Sequence, residues 1–441
     1  MNEFVMNPDR EMTEQAFVLA LLVKGRTLFD DFTWTDRSRA FAKILEEFGL
    51  HYEEKGHQLS LEGLGFQYRI PTYFGTPVSE NALVLLFSLA SRDKETLYTV
   101  AGPAEFRVLA KSALAKYFCA RVTSETADTL VFQFEDKLPV AHLTSLGNVP
   151  YLLKESVLLC AFVNGSGAAM EEKTTVRDSW AEMLGYFGAA LSVRKDSGEA
   201  MDELARRIAK AKGIRTETKI ITELSETKIL TSCDYFIAGD PTEAAAFATL
   251  GSLALFPKET TFTLKNAVVS GNRGGFFPTL KRMNADVEIT SRHEKFGTAF
   301  GTVEVRPGNK LQARRLSEDI IATCLEEYPF LALAACAAEG ETILRIPKEN
   351  RAAMRSRCEN LAVNLRKTGA EVGVYDEGLV IRGRETVLDG GEFDCKDDPV
   401  TGLALYVLSL FGQGITTIAG IECVEAAFPG ICDKLKSAVT V

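Results

Sequence analysis

Two kinds of helical segment alternate along the chain. FVLALLVKG from Phe17, LVLLFSLAS from Leu83, VLLCAFVNG from Val157, FATLGSLALF from Phe247, FLALAACAA from Phe330 and LALYVLSLF from Leu403 are apolar on nearly every face. That pattern marks helices enclosed within a domain. Between them run amphipathic segments such as FAKILEEFG from Phe41, LAKSALAKY from Leu109 and CENLAVNLRKTG from Cys358, whose single apolar stripe places them nearer the surface. Short alternating stretches, among them TLYTV, ADVEI and ETILRI, read as half-buried strands. Together they form one recurring unit: apolar helix, Thr-rich strand, polar helix, then a strand introduced by Gly-Ala. It returns every roughly 70 to 90 residues, too long for a solenoid and suited to three units per globular domain. The pattern predicts an α/β protein in which sheets wrap around buried helices, twice over.

Composition changes this picture little. A chain of 441 residues exceeds one ordinary core, so two domains are expected. Hydrophobic residues make up 46% and charged residues 25%, which is globular. The opening MNEFVMNPDREMTEQ has no basic-then-apolar leader, and LALYVLSLF is about half the ~20 residues a membrane span needs. The nine cysteines are scattered without CxxC spacing, several inside apolar runs, as reduced buried thiols are. A cytoplasmic location is expected. A formal charge of −10 without a Lys/Arg-dense segment excludes a nucleic-acid surface, and no membrane contact is expected. His51, His57, His142 and His293 have no metal-ligand spacing and read as surface residues; neither metal nor cofactor is expected.

Three longer stretches resemble a known family. AGDPTEAAAFATL around Asp240, GNRGGFFPTLKRMNADVEI from Gly271 and LEEYPFLALAACAAEGETILRIPKENR from Leu325 are similar to motifs of the enolpyruvyl transferases, most closely the enolpyruvylshikimate-phosphate (EPSP) synthases. Weaker echoes at Phe74, Thr175 and Val424 stand in the same order. The resemblance implies a two-domain inverted α/β barrel of six βαβαββ units, three per domain. One domain would span 11–228, the other 1–10 plus 229–441, with a hinge near 228–239. The few residues before Arg10 imply an incomplete edge on the second domain.

The family joins the enolpyruvyl group of phosphoenolpyruvate to a sugar-like hydroxyl, which calls for many cations to hold two anions and carboxylates to move a proton. Aligned to the family's motifs, Arg10 replaces a catalytic Lys, followed by Glu11 and Gln15 in place of Ser and Arg. Gly75 and Thr76 of a substrate-binding turn are kept, while its Arg becomes Ser79. Another Arg falls on Leu109, and a substrate-gripping Ser-Ala-Gln falls on Tyr151, Leu152 and Leu153. Glu326 takes the place of a catalytic Asp, beside Glu327. PKENR keeps Arg351 and puts Lys348 at the second carboxylate, unless a one-residue slip restores Glu349 there. Asp398 stays, but its His-Arg partners become Pro399 and Val400, and a Lys becomes Ala426.

Each charge-assisted hydrogen bond contributes about 1.5–3 kcal/mol, so losses at Ser79, Leu109, Val400 and Ala426 together would cost about 5–10 kcal/mol of ligand binding. The leading expectation is therefore a non-catalytic binding or regulatory paralogue. The alternative is an active 1-carboxyvinyl transferase on shikimate 3-phosphate or a less charged acceptor, using Arg10, Glu326, Glu349 and Arg351, with Gly75 and Thr76 at the substrate. Either way the ligand is a small anionic metabolite in the interdomain cleft, and the chain is expected to be a monomer. A structural reading stands beside each of these: Arg10 and Arg351 as packing cations, and Glu326 and Glu327 as carboxylates favoured at a helix N-terminus.

Overall fold

The computed structural model describes residues 2–136, 142–144, 149–172, 180–196, 219–226, 229–253, 256–257, 259–269, 273–384 and 388–439. Thr175, Lys228, Gly271 and Asn272, on which parts of the family motifs and of the expected hinge fall, lie outside the described residues. The chain divides into two compact units. One comprises Met1–Asp9, Thr35–Arg37 and Ile237–Val441, the other Arg10–Trp34 and Ser38–Phe236. They are called here the terminal and the central unit.

Five sheets repeat one arrangement: a short strand parallel to a second strand, which continues into an antiparallel hairpin. In the central unit, Tyr73–Phe74 runs parallel to Tyr98–Ala101, and the hairpin is Ala120–Glu125 with Thr129–Phe134. A second sheet places His142–Thr144 beside Ala168–Glu172, followed by Lys219–Leu224 and Leu191–Asp196. The third is built on Val23–Phe29, Gln58–Leu64 and His51–Lys55. Its parallel partners, Leu230–Thr231 and Asp234–Tyr235, arrive from the far end of the unit. Alternate burial along Thr129–Phe134 shows why these segments become strands: every second side chain faces the helices.

The terminal unit repeats the plan in Arg315–Leu316, Glu341–Arg345, Gly378–Arg382 and Glu371–Tyr375. Its last sheet is reduced to Glu392–Asp394 parallel to Thr417–Ala419, with helices Glu422–Ala427 and Ile431–Val439 following where a hairpin would stand. The remaining sheet corrects the expectation of an incomplete edge. Asn2–Val5 forms a full parallel pairing with Phe262–Val268, in register from Asn2 opposite Phe262 to Val5 opposite Lys265. Four residues suffice because the partner strand is itself only seven long and Phe4 stacks on Phe247.

Inside each unit lie three apolar helices. In the central unit they are Arg10–Leu22, Glu80–Ala90 and Tyr151–Val163; in the terminal unit, Pro241–Leu253, Tyr328–Cys336 and Pro399–Ser409. All nine residues of Tyr328–Cys336 are buried, as the sequence predicts from an all-round apolar helix. Each fully buried Leu or Phe contributes about 1.5–3 kcal/mol, so these helices anchor their units. The outer helices are one-sided: Arg351–Arg366 buries Met354, Cys358, Leu361 and Leu365 at three- and four-residue spacing. Among the described residues no helix is long and apolar enough to cross a membrane.

Candidate functional site

Because most residues within the buried helices are packed, chemistry collects chiefly at their ends. In the terminal unit each helix opens on a carboxylate. Asp240 accepts backbone hydrogen bonds from Thr242 at 2.9 Å and Glu243 at 3.3 Å. Glu327 stands at the N-cap position of the second helix, where its carboxylate accepts not from that helix but from the Thr242 hydroxyl at 2.9 Å. Asp398 caps the third through Val400 N and the Thr401 hydroxyl. Asp240 and Asp398 thereby satisfy unpaired N–H groups of a first turn, and all three carboxylates face its partial positive charge.

Guanidinium groups of the same unit meet Asp398 and other nearby carboxylates. Arg357 grips Asp398 in a bidentate fashion, Nε to Oδ2 at 2.7 Å and Nη2 to Oδ1 at 3.1 Å, and its Nη1 reaches Glu326 Oε2 at 3.3 Å. Arg273 is 4% exposed and pairs with the equally buried Asp9. Arg351 lies at the start of the helix that carries Arg357 and turns instead to Glu318 at 2.6 Å and the Ile346 carbonyl at 3.2 Å. Glu349 sits half-buried in the single turn Lys348–Asn350 before that helix.

A further ionic group fixes the N-terminal segment within the same unit. Glu243 accepts from Asn7 N at 2.9 Å and from Lys434 Nζ at 3.1 Å, and Lys434 also donates to Asn7 Oδ1 at 2.9 Å. Burial pushes the Glu243 carboxyl above its ordinary range, against the opposing pull of the Lys434 ammonium and the Asn7 N–H.

The central unit gathers a different set at the same end of its helices. Asn81 donates to Glu14 Oε2 at 2.7 Å, and the Tyr151 hydroxyl donates to Asn81 Oδ1. The Ser79 hydroxyl caps Ala82 N at 3.1 Å and lies 3.4 Å from Glu14. Glu14 and Asn81 are 2% and 5% exposed. Deeper, Lys154 pairs with Glu172 inside the unit, both almost fully buried, and Glu172 accepts from Val149 N at 3.1 Å. Arg10, half-buried, opens the first helix with Glu11 beside it. Gly75 and Thr76 line a hollow of about 220 Å³ together with Glu47, Phe48, Tyr73, Phe74 and Phe106. Among the described residues no cluster of three or more His, Cys, Asp or Glu is arranged to hold a metal ion.

A family model, EPSP synthase (3-phosphoshikimate 1-carboxyvinyltransferase), matches residues 200–435, more than half of the chain. The chain belongs to the EPSP synthase family. A relative from Petrotoga mobilis, named 3-phosphoshikimate 1-carboxyvinyltransferase, is 23% identical over 447 residues, covering 99% of this chain and 97% of its own. A cyanobacterial relative of the same name, from Synechococcus sp. (strain JA-3-3Ab), is 28% identical over 284 residues, 64% of this chain and 58% of its own length. The EPSP synthase structure from Acinetobacter baumannii superposes with a TM-score of 0.74 at 19% identity, over 99% of this chain and 95% of that one. This likeness establishes the two-domain α/β fold.

Sequence reasoning missed two EPSP-synthase-fold residues that the geometry makes prominent. Arg357 is the arginine that meets Glu326 and Asp398, where alignment on PKENR points to Arg351. Its signal was present: a cation three residues after Met354 and four before Leu361 sits at the border of the helix's apolar stripe. Glu14 was passed over because it stands in the polar first turns of its helix, REMTEQ, where a carboxylate reads as exposed; it is in fact buried, and Asn81 is one of its partners.

Proposed function

We propose that this protein is a 1-carboxyvinyl (enolpyruvyl) transferase that takes phosphoenolpyruvate as donor and a hydroxyl acceptor carrying less negative charge than shikimate 3-phosphate. The single observation behind the acceptor is Glu14. A buried carboxylate at the helix ends of the central unit, hydrogen-bonded to Asn81, repels a phosphate and suits a neutral polyol. The relatives that span nearly the whole chain are named as transferases, which favours an active enzyme over a non-catalytic paralogue.

In this reaction the acceptor oxygen bonds to C2 of phosphoenolpyruvate while a proton adds at C3. The tetrahedral intermediate then loses a C3 proton and expels phosphate. Glu326 and Glu349 are the carboxylates assigned to those proton transfers, Arg357 and Arg351 the guanidiniums that pair with the donor's anionic groups. Arg10 contributes a further cation, and Gly75 with Thr76 a turn for the substrate.

The test is phosphate release from phosphoenolpyruvate by the purified protein, with shikimate and shikimate 3-phosphate as alternative acceptors. Release with shikimate at least as fast as with the phosphorylated form is expected. Turnover of about 1–10³ s⁻¹ on shikimate 3-phosphate alone sinks the proposal. A second reading, a binding or regulatory paralogue, draws on Arg357, which two carboxylates of its own unit already engage. Calorimetric binding of phosphoenolpyruvate with no release on either acceptor supports that one.

A further inference from the structure

Cys395 and Cys423 lie in the terminal unit with their sulfurs 3.7 Å apart. Cys395 is buried just past the strand Glu392–Asp394, and Cys423 is half-buried in the first turn of the helix Glu422–Ala427. The Cys395 backbone N–H donates to the Ala419 carbonyl at 3.1 Å, and its thiol lies 3.2 Å from the same oxygen. Its own carbonyl accepts from Asp398 N at 3.0 Å. The two residues between them, Lys396 and Asp397, have φ of 49° and 56°, a left-handed conformation that side chains seldom adopt. The turn that aims Asp398 at Arg357 is therefore set by where Cys395 is held.

We propose that Cys395 and Cys423 are a modification site, a dithiol that closes to a reversible disulfide and clamps this turn to the helix Glu422–Ala427. A disulfide holds its sulfurs about 2.05 Å apart, so the pair must close by about 1.7 Å, shared between two side chains. Gly402 and Gly420 leave room for that movement: a Cβ at either position would stand 3.3 Å or 3.1 Å from the Cys395 sulfur. The electrons pass to a small-molecule disulfide such as oxidised glutathione. Cys423, the more exposed of the two, attacks one of its sulfurs, forming a mixed disulfide and releasing one glutathione thiol. Cys395 then attacks the Cys423 sulfur and releases the second, so two protons and two electrons leave the protein with two glutathione thiols. Burial, then the partner thiol and the Asp397 and Asp398 carboxylates, push the Cys423 thiol up to about 12, and burial raises Cys395 as well. Little thiolate is present at neutral pH, so closure is slow and answers sustained oxidation rather than a brief pulse. Neither cysteine is assigned to carboxyvinyl transfer, and the site does not depend on that reading.

Mass spectrometry tests this on full-length protein held in oxidised glutathione under native conditions, alkylated and digested with trypsin. The peptide ending at Lys396 is expected to appear joined to the one ending at Lys434, which carries both Cys423 and Cys432. Dithiothreitol is expected to separate them. Cys423→Ser is expected to abolish the joined species, and Cys432→Ser to leave it in place. Amide hydrogen exchange over residues 396–401 is expected to slow at least ~3-fold in the oxidised wild-type protein and to stay unchanged in Cys423→Ser treated alike. Cysteines that remain free or only glutathionylated after prolonged exposure, a joined species that survives in Cys423→Ser, or equal exchange in the reduced and oxidised protein overturns the proposal.

Discussion

The two units bury three helices each on one plan, yet their helix ends carry opposite chemistry. In the terminal unit the ends are ionic: Asp398 and Glu326 share Arg357, Asp9 holds Arg273, and Glu243 holds Lys434. In the central unit the corresponding end is a hydrogen-bond chain of Tyr151, Asn81, Glu14 and Ser79, and the buried ion pair Lys154–Glu172 lies deeper. A guanidinium between two carboxylates can exchange a partner for an incoming anion. A carboxylate already served by an amide and a hydroxyl has no such flexibility, and it sets the charge of whatever approaches. The lesson is that one fold sets ionic pairs around the helix starts of one unit and a hydrogen-bond chain around those of the other, by exchanging a few side chains.

The largest effect that tests this comparison is expected for Lys154→Met. It removes the ammonium facing the buried Glu172 carboxylate, and breaking such a buried pair costs about 3–5 kcal/mol in urea unfolding. The double variant Lys154→Met/Glu172→Leu is expected to recover most of that loss, which would show that the pair sets specificity more than stability. Next comes Arg357→Ala against Arg351→Ala. The first removes a partly buried bidentate contact and is expected to cost about 2 kcal/mol and to reduce phosphate release by more than ~100-fold. The second, with Glu318 42% exposed, is expected to cost under ~1 kcal/mol. Equal effects would erase the distinction between the two arginines.

A smaller change is expected for Glu14→Gln, which keeps an oxygen for Asn81 and removes the charge. Affinity for shikimate 3-phosphate should rise about tenfold by calorimetry, bringing the central unit closer to the anion-binding character of the other. The smallest is the pH response of Glu243. Its folded-state affinity for a proton exceeds that of the unfolded chain, whose ordinary value is 4.5. Its contribution is therefore full below that value and is lost as pH rises through the raised folded value. Glu243→Gln is expected to flatten this decline in a series of melting temperatures above pH 4.5, leaving the acid side of the profile in place.

The fold was legible because it rests on patterns a sequence displays openly. FLALAACAA is apolar all round and proves enclosed; CENLAVNL is apolar on one side and proves peripheral. What escaped notice depended on pairing across sequence distance. Asn2–Val5 alone looks like a stray tail, and only its register with Phe262–Val268 makes it a strand. Likewise Arg357 gains meaning from Asp398 and Glu326, and Glu14 from Asn81. A motif reports the residues near one another along the chain, whereas a charged group is defined by what it faces.

The strand Asn2–Val5 also has a consequence in time. Its partner strand Phe262–Val268 is made some 260 residues after it. At about 5–20 residues per second, its edge waits on the order of tens of seconds. Throughout that interval the nascent chain carries an unpaired strand edge, and the residues of the central unit are completed before the sheet can close. A change in this strand would therefore weigh on the last step of assembly rather than the first.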